Sequence, residues 1–215
     1  MKKVFVLMSL LAASILLSPV LSGQAVSDKR IEKDAKKQAK ALVKDGWLTA
    51  PGKPSVELQQ LRSLKIQNEF DDNFNQKFVE GSAQAVGPNY DAAKFQATEL
   101  AKIDIAGKIT SELAGIVETN IGNEQTDPGQ AVAIAKSVGN YKSFVAAKLV
   151  NIISVVDMYR VDPNTKNTTV QIGLFYNKEE AIKAGIQAVR DELMKESQEL
   201  GEELDKLLDV KSTGK

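Results

Sequence analysis

The chain has no cysteine and no histidine among its 215 residues. The first absence removes disulfides, thiol nucleophiles and cysteine-bound zinc. The second removes the commonest general base near neutral pH, the usual partner of a nucleophilic serine and the usual imidazole metal ligand. Catalysis would have to rest on carboxylates, Lys, Tyr and Ser. There is a single Trp, so Trp47 is the only indole that can stack on a ligand. Net charge is missing too, with 28 Lys and Arg against 28 Asp and Glu. Such a balance gives no electrostatic case for nucleic acid. Stability has to come from ordinary packing, and apolar periodicity should therefore be legible.

What is present begins with an export layout. Met1-Lys2-Lys3 is a short basic start. An apolar run from Val4 to Leu17 follows, broken only by Ser9 and Ser14, and Pro19 and Gly23 end it. Gly23 and Ala25 stand three and one positions before a cut after Ala25, as in a cleavable signal peptide. A membrane span needs about 20 apolar residues, and this run is shorter. No Cys lies near the cut, which excludes acylation of the bacterial lipoprotein kind. The expected product is a periplasmic or extracellular chain of about 190 residues, enough for one core with a helical annex. Losing Lys2 and Lys3 leaves 26 basic against 28 acidic residues, a net charge of about −2.

Ser27 to Lys44 reads as a helix with a narrow apolar stripe of Ile31, Ala35, Ala39, Leu42 and Val43. Around it sit Lys29, Arg30, Lys33, Lys36, Lys37, Lys40 and Lys44, opposed locally by Asp28, Glu32 and Asp34. Lys36, Lys37 and Lys40 are candidate surface contacts to an anionic envelope polymer or headgroup. The plainer reading is a solvated face, or one paired with an acidic helix. Gly46 ends this helix. Trp47, beside a turn of Pro51, Gly52 and Pro54, either stacks on a sugar or plugs a joint between helices. Pro54 to Phe74 reads as a second helix with Val56, Leu58, Leu61, Leu64, Ile66 and Phe70 on its apolar side. Asp71, Asp72, Asn73 and Asn75 lack the Gly and Glu that a calcium loop needs.

Phe78 to Val86 permits a strand, closed by Gly87-Pro88-Asn89. Tyr90 to Ile121 is the clearest helix, with Asp91 as a possible cap and Ala97, Leu100, Ala101, Ile105, Ile109, Leu113, Ile116 and Val117 on one wide face. Pro128 to Val138 is a shorter one. Val145–Val161 and Asn167–Tyr176 then read as an antiparallel hairpin turning at 162–166. In its second strand Val170, Ile172, Leu174 and Tyr176 should face the core. Lys178 to Val210 reads as a final helix with Leu193, Leu200 and Leu207 on a partial coiled-coil seam, and Glu196 and Glu203 at two seam positions. It would either make a homodimer or extend the intramolecular core. Its acidity makes it the expected partner of the basic first helix.

The stretch Tyr90-Asp-Ala-Ala-Lys-Phe-Gln-Ala-Thr-Glu-Leu-Ala-Lys-Ile-Asp-Ile-Ala-Gly-Lys-Ile109 resembles the helix of LPP-twenty-type lipoproteins, a module similar to the N-terminal domain of flagellar assembly protein T. Asp157-Met-Tyr-Arg160 and Val170-Gln-Ile-Gly-Leu-Phe-Tyr-Asn177 resemble that group's hairpin. The likeness covers about Phe78 to Leu193. The layout is also similar to secreted proteins of Bacteroidetes type. The resemblance implies envelope association and no reaction. The group's acylated Cys is absent, so its membrane anchor does not transfer.

The expected fold is α+β, a small antiparallel sheet of the hairpin and a third strand, covered by the 90–121 and 178–210 helices. The expected divisions are a signal peptide (1–25), a helical annex (26–77) and the α+β domain (78–215). The expected function is a non-catalytic envelope or secreted protein that works through protein or surface contacts, without cofactor, metal or catalytic residues. The alternative is a small-ligand or glycan binding module using Trp47.

Overall fold

The computed structural model describes residues 27–120 and 128–213. The segment expected to be a signal peptide lies outside them. The described residues form α1 (Asp28–Lys44), β1 (Leu48–Thr49), α2 (Val56–Gln67), β2 (Phe78–Gly87), α3 (Tyr90–Asn120), α4 (Pro128–Asn140), α5 (Lys142–Lys148), β3 (Ile153–Val161), β4 (Thr168–Asn177), α6 (Lys178–Glu196) and α7 (Gln198–Thr213). The α+β class is as expected.

The sheet has the order β1-β3-β4-β2, and every pairing is antiparallel. The β3–β4 hairpin closes through Asp162, whose carboxylate accepts the backbone N–H groups of Asn164 and Thr165. Val170, Ile172, Leu174 and Tyr176 do face the main core. Over that face lies α3, with Ala93, Ala97, Ala101 and Ile105 fully buried. Small residues on both sides bring the helix close to β2, and Gly81 sits directly under the Ala101 carbonyl. The first turn of α3 is capped by Asn89, which accepts the Ala92 N–H at 2.9 Å, instead of by Asp91.

Helix side chains cover part of both margins of the sheet. On β2, Asp104 accepts the Ser82 N–H at 3.1 Å, and Lys108 donates to the Glu80 carbonyl at 2.7 Å. Beyond the two residues of β1, the buried Gln59 side chain takes up the backbone of Asp157. Its Oε1 accepts the Asp157 N–H at 2.7 Å, and its Nε2 donates to the Asp157 carbonyl at 3.3 Å. One amide side chain thereby does what another residue of β1 would have done.

The N-terminal helices are part of the same structure. Ala39, Trp47, Val56, Val156 and Met158 form a second core cluster on the other side of the sheet. α2 is shorter than its sequence pattern, and its buried positions are Val56, Gln59 and Ser63. Leu58 is exposed. The helix presents Gln59 inward because the edge of β3 has a donor and an acceptor to satisfy, and this need outweighs the apolar stripe.

Two other expectations need correction. The run from Val145 begins as helix: Tyr141, Val145 and Leu149 recur at intervals of four and are all buried, so only Ile153–Val161 is strand. The 178–210 helix is broken at Ser197, which is extended at φ −160°, ψ 132°. α7 folds back on α6, where Gly201 lies against Met194. Of the seam leucines, Leu193 and Leu207 are buried within the chain and Leu200 is partly buried against the same core, which Leu204 joins from α7. α6 meets the sheet at its start and then rests on α3, with Gly185 beside Ile109 and Leu113. The far half of α3 thus belongs to a helical layer with α4, α5, α6 and α7.

Between α2 and β2 the chain makes a small hairpin, bridged at Phe70 and Gln76. Asp71 holds its tip by accepting the N–H groups of Asn75 and Asn73, which keep its carboxyl below the ordinary carboxylate range. Phe74 at that tip has a left-handed φ of 62° and is 75% exposed. A bulky side chain in this conformation is strained, and little packing offsets the strain. Phe74→Gly is expected to raise stability by about 1 kcal/mol, read as a higher denaturant midpoint. A lower midpoint would mean that the ring contributes packing that outweighs the strain.

Candidate functional site

The basic helix α1 is polarised between a buried apolar side and an exposed basic side. α1 buries Ile31, Ala35 and Ala39. At about 100° per residue, all seven of its basic side chains fall within an arc of about 120° on the opposite side. Asp28, Glu32 and Asp34 lie outside that arc. Lys36, Lys37 and Lys40, the candidate contacts, are brought together here, and all three are exposed. Among the described residues the ridge's only ion pair is Arg30–Asp34, at 3.9 Å. Glu32 and Glu57 lie with Lys29, Lys33 and Lys36 along a shallow groove between α1 and α2, floored by Ala35 and Leu61.

The expected pairing of α1 with the acidic tail does not form. α1 packs on α2, whereas α7 packs on α6, α4 and α3. The tail carboxylates are matched nearby instead: Glu179 with Lys183, Asp191 with Lys148, Glu192 with Lys195, Glu203 with Lys206 and Asp205 with Arg190.

Trp47 is separate from the ridge's exposed face. It is 4% exposed and fills the second core cluster. The Arg160 guanidinium lies 4.9 Å from its ring centroid. Of its two expected roles, plug and sugar platform, the indole takes the first, and it presents no open face to a sugar.

One cluster has almost no signature in the sequence. Asp157 stands alone in the apolar strand β3 and is 5% exposed. Its carboxylate accepts the Tyr90 hydroxyl at 2.7 Å and the Lys94 ammonium at 2.6 Å, and Lys53 approaches to 3.8 Å. Lys94 also donates to the Tyr90 oxygen at 3.1 Å. Burial pushes the Tyr90 phenol above its ordinary 10.0, and its bond to Asp157 adds to the effect. Burial pulls the Lys94 ammonium down, but its bonds to Asp157 and Tyr90 overcome this and hold it above 10.5. Both groups keep their protons near neutral pH, so neither is poised as a base. The cluster is a clasp that ties the start of α3 and the 50–54 loop to β3. Its only sequence signal is one acid inside a strand, together with a Tyr and a Lys four residues apart.

Along the outer side of α3, Leu100, Ile103 and Lys142 line a shallow open trough. Among the described residues no group of three carboxylates converges on one point, and no helix is long and apolar enough to cross a membrane. No protein-family model, curated protein or solved structure matches the chain significantly.

Proposed function

We propose that the protein is a non-catalytic exported protein of the cell envelope or the secreted space, acting through surface contacts made by α1. The observation that carries this reading is the ridge: seven cations on one exposed face with one weak internal ion pair among them. Unmatched like charges repel one another, so such a face is costly unless something anionic meets it. The signal-peptide layout of residues 1–25 supports a meeting outside the cytoplasm. The likeness of Tyr90–Ile109 to envelope-associated lipoproteins points the same way.

Expression of the full chain in a bacterial host tests both parts. The exported product should begin at Val26 by N-terminal sequencing. It should be retained with the envelope fraction, and Lys36→Glu/Lys37→Glu/Lys40→Glu should release it. Retention of the triple variant at the unmodified level would remove α1 from the reading. A product still starting at Met1 would remove export by cleavage.

A further inference from the structure

We propose that the ridge of α1 binds an extended, linear phosphate-bearing polymer and not the plane of a bilayer. This rests on the reading that α1 is the contact surface, and it names what that surface meets. Three features of the helix decide between the two sources of anionic phosphate.

The first is where the apolar face goes. A helix that settles on a bilayer buries its apolar side among headgroups and acyl chains. The apolar side of α1, Ile31, Ala35 and Ala39, is buried within the protein. The arc facing solvent carries no aromatic or leucine anchor, and Val43 on its flank is the helix's one large exposed apolar residue. Nothing on this face can insert.

The second is curvature. Lys33, Lys40 and Lys44 form the crest of the ridge, Lys29 and Lys37 lie beside it, and Lys36 and Arg30 lie on its flanks. A plane touching a rigid convex helix meets the crest and leaves the flanks pointing away. A flexible chain can follow the crest and fold toward either flank, so it can neutralise all seven charges. The ridge also runs lengthwise. From Lys29 to Lys44 it spans about 22 Å, and along its top Lys29, Lys33, Lys37, Lys40 and Lys44 follow one another at three or four residues, or about 4.5–6 Å of axis. That is a track for a repeating charge along a strand.

The third is the chemistry of the cations. Six of the seven are lysines. Ammonium groups on flexible stems act as point charges and do not impose the two-pronged geometry of a guanidinium. They suit a polymer that can slide in register better than one headgroup held in a fixed pose. The acidic α6 and α7 pack on α3, α4 and α5, not against this ridge.

The experiment uses purified protein with two probes, long-chain inorganic polyphosphate and phosphatidylglycerol vesicles, across a salt series. Releasing counterions from a flexible polyanion gives a slope of about 0.7 in log K against log salt per cation engaged. The full ridge should therefore bind polyphosphate with a slope of about 5, and Lys36→Ala/Lys37→Ala/Lys40→Ala with a slope of about 3. Vesicles should bind more weakly and with a smaller slope. All three lysines are exposed, so the variant should melt as the unmodified protein does. Vesicle binding equal to or stronger than polymer binding overturns the proposal and leaves α1 as a contact surface. A slope unchanged in the triple variant overturns it by placing the binding elsewhere. If neither probe binds, the proposal fails, and the envelope-retention result decides separately whether α1 contacts a protein instead.

Discussion

Replacing Gly81 with alanine should cost the protein about 3 kcal/mol or its cooperative folding altogether. A Cβ at this position would overlap the Ala101 carbonyl oxygen and stand 2.5 Å from Ile105 Cγ1. The first obstacle is helix backbone, and neither it nor a fully buried isoleucine can step aside. Relief requires α3 to move off β2. That motion would pull Asp104 and Lys108 from the β2 edge and disturb the Tyr90–Asp157–Lys94 clasp at the start of the same helix. Gly115→Ala is the matching control. Its Cβ meets nothing within 4 Å, and the position is helical, so the substitution should stabilise by about 0.5–1 kcal/mol. Urea denaturation of the two variants checks both signs. A Gly81→Ala protein with an unchanged midpoint would show that the helix–sheet separation is slack.

Asp157→Ala is expected to have the second largest effect, a loss of about 2–4 kcal/mol. The substitution leaves the Tyr90 hydroxyl without its acceptor and the Lys94 ammonium with only the Tyr90 oxygen. Lys94 is 33% exposed and can recover some hydration, which keeps the loss below that of a wholly buried pair. Asp157→Asn should cost less, because it can still accept from Tyr90. The clasp also predicts an alkaline limb. The folded state raises the affinity of both Tyr90 and Lys94 for their protons. Its contribution is therefore complete below their unfolded values of 10.0 and 10.5 and is lost as pH rises above them. Melting temperature should fall with pH in that window, and fall less steeply in Asp157→Asn. An identical alkaline slope in the two proteins would show that Asp157 does not hold those protons.

Legibility in the sequence varies with the range of the interaction responsible. The alternation Val170, Ile172, Leu174, Tyr176 is local and announces its face correctly. So do Ile31, Ala35 and Ala39 of the α1 stripe with their opposing lysines, whereas Val43, read into the same stripe, lies on the exposed flank because the helix buries only its small residues and Ile31. The region around Lys142–Lys148 is deceptive, because its Val and Phe, with the β-rich residues that follow, suggest a strand. The spacing of Tyr141, Val145 and Leu149 is nonetheless helical. The break at Ser197 carries no Pro or Gly of its own. It follows from a distant demand, since Leu204 and Leu207 must return to the core that Leu193 enters. Gln59 cannot be found from α2 alone, because what it satisfies is backbone 98 residues away. Asp157 poses the same problem. An acid in a strand becomes meaningful only when the fold supplies its two donors. The candidate ridge is readable in the sequence, but its freedom from the acidic tail is not.

The side chains at the two margins of the sheet have a consequence for how the protein survives among its neighbours. A strand with open backbone groups is a template on which another chain can add itself, and crowded unfolded proteins use such templates to aggregate. Here Gln59 occupies one margin, and Asp104 with Lys108 occupies part of the other. All three are carried on helices, so they reach their places only when the helices dock. The protection against amyloid-like growth is thus switched on by tertiary folding itself, and the hazard is confined to the interval before α2 and α3 settle on the sheet.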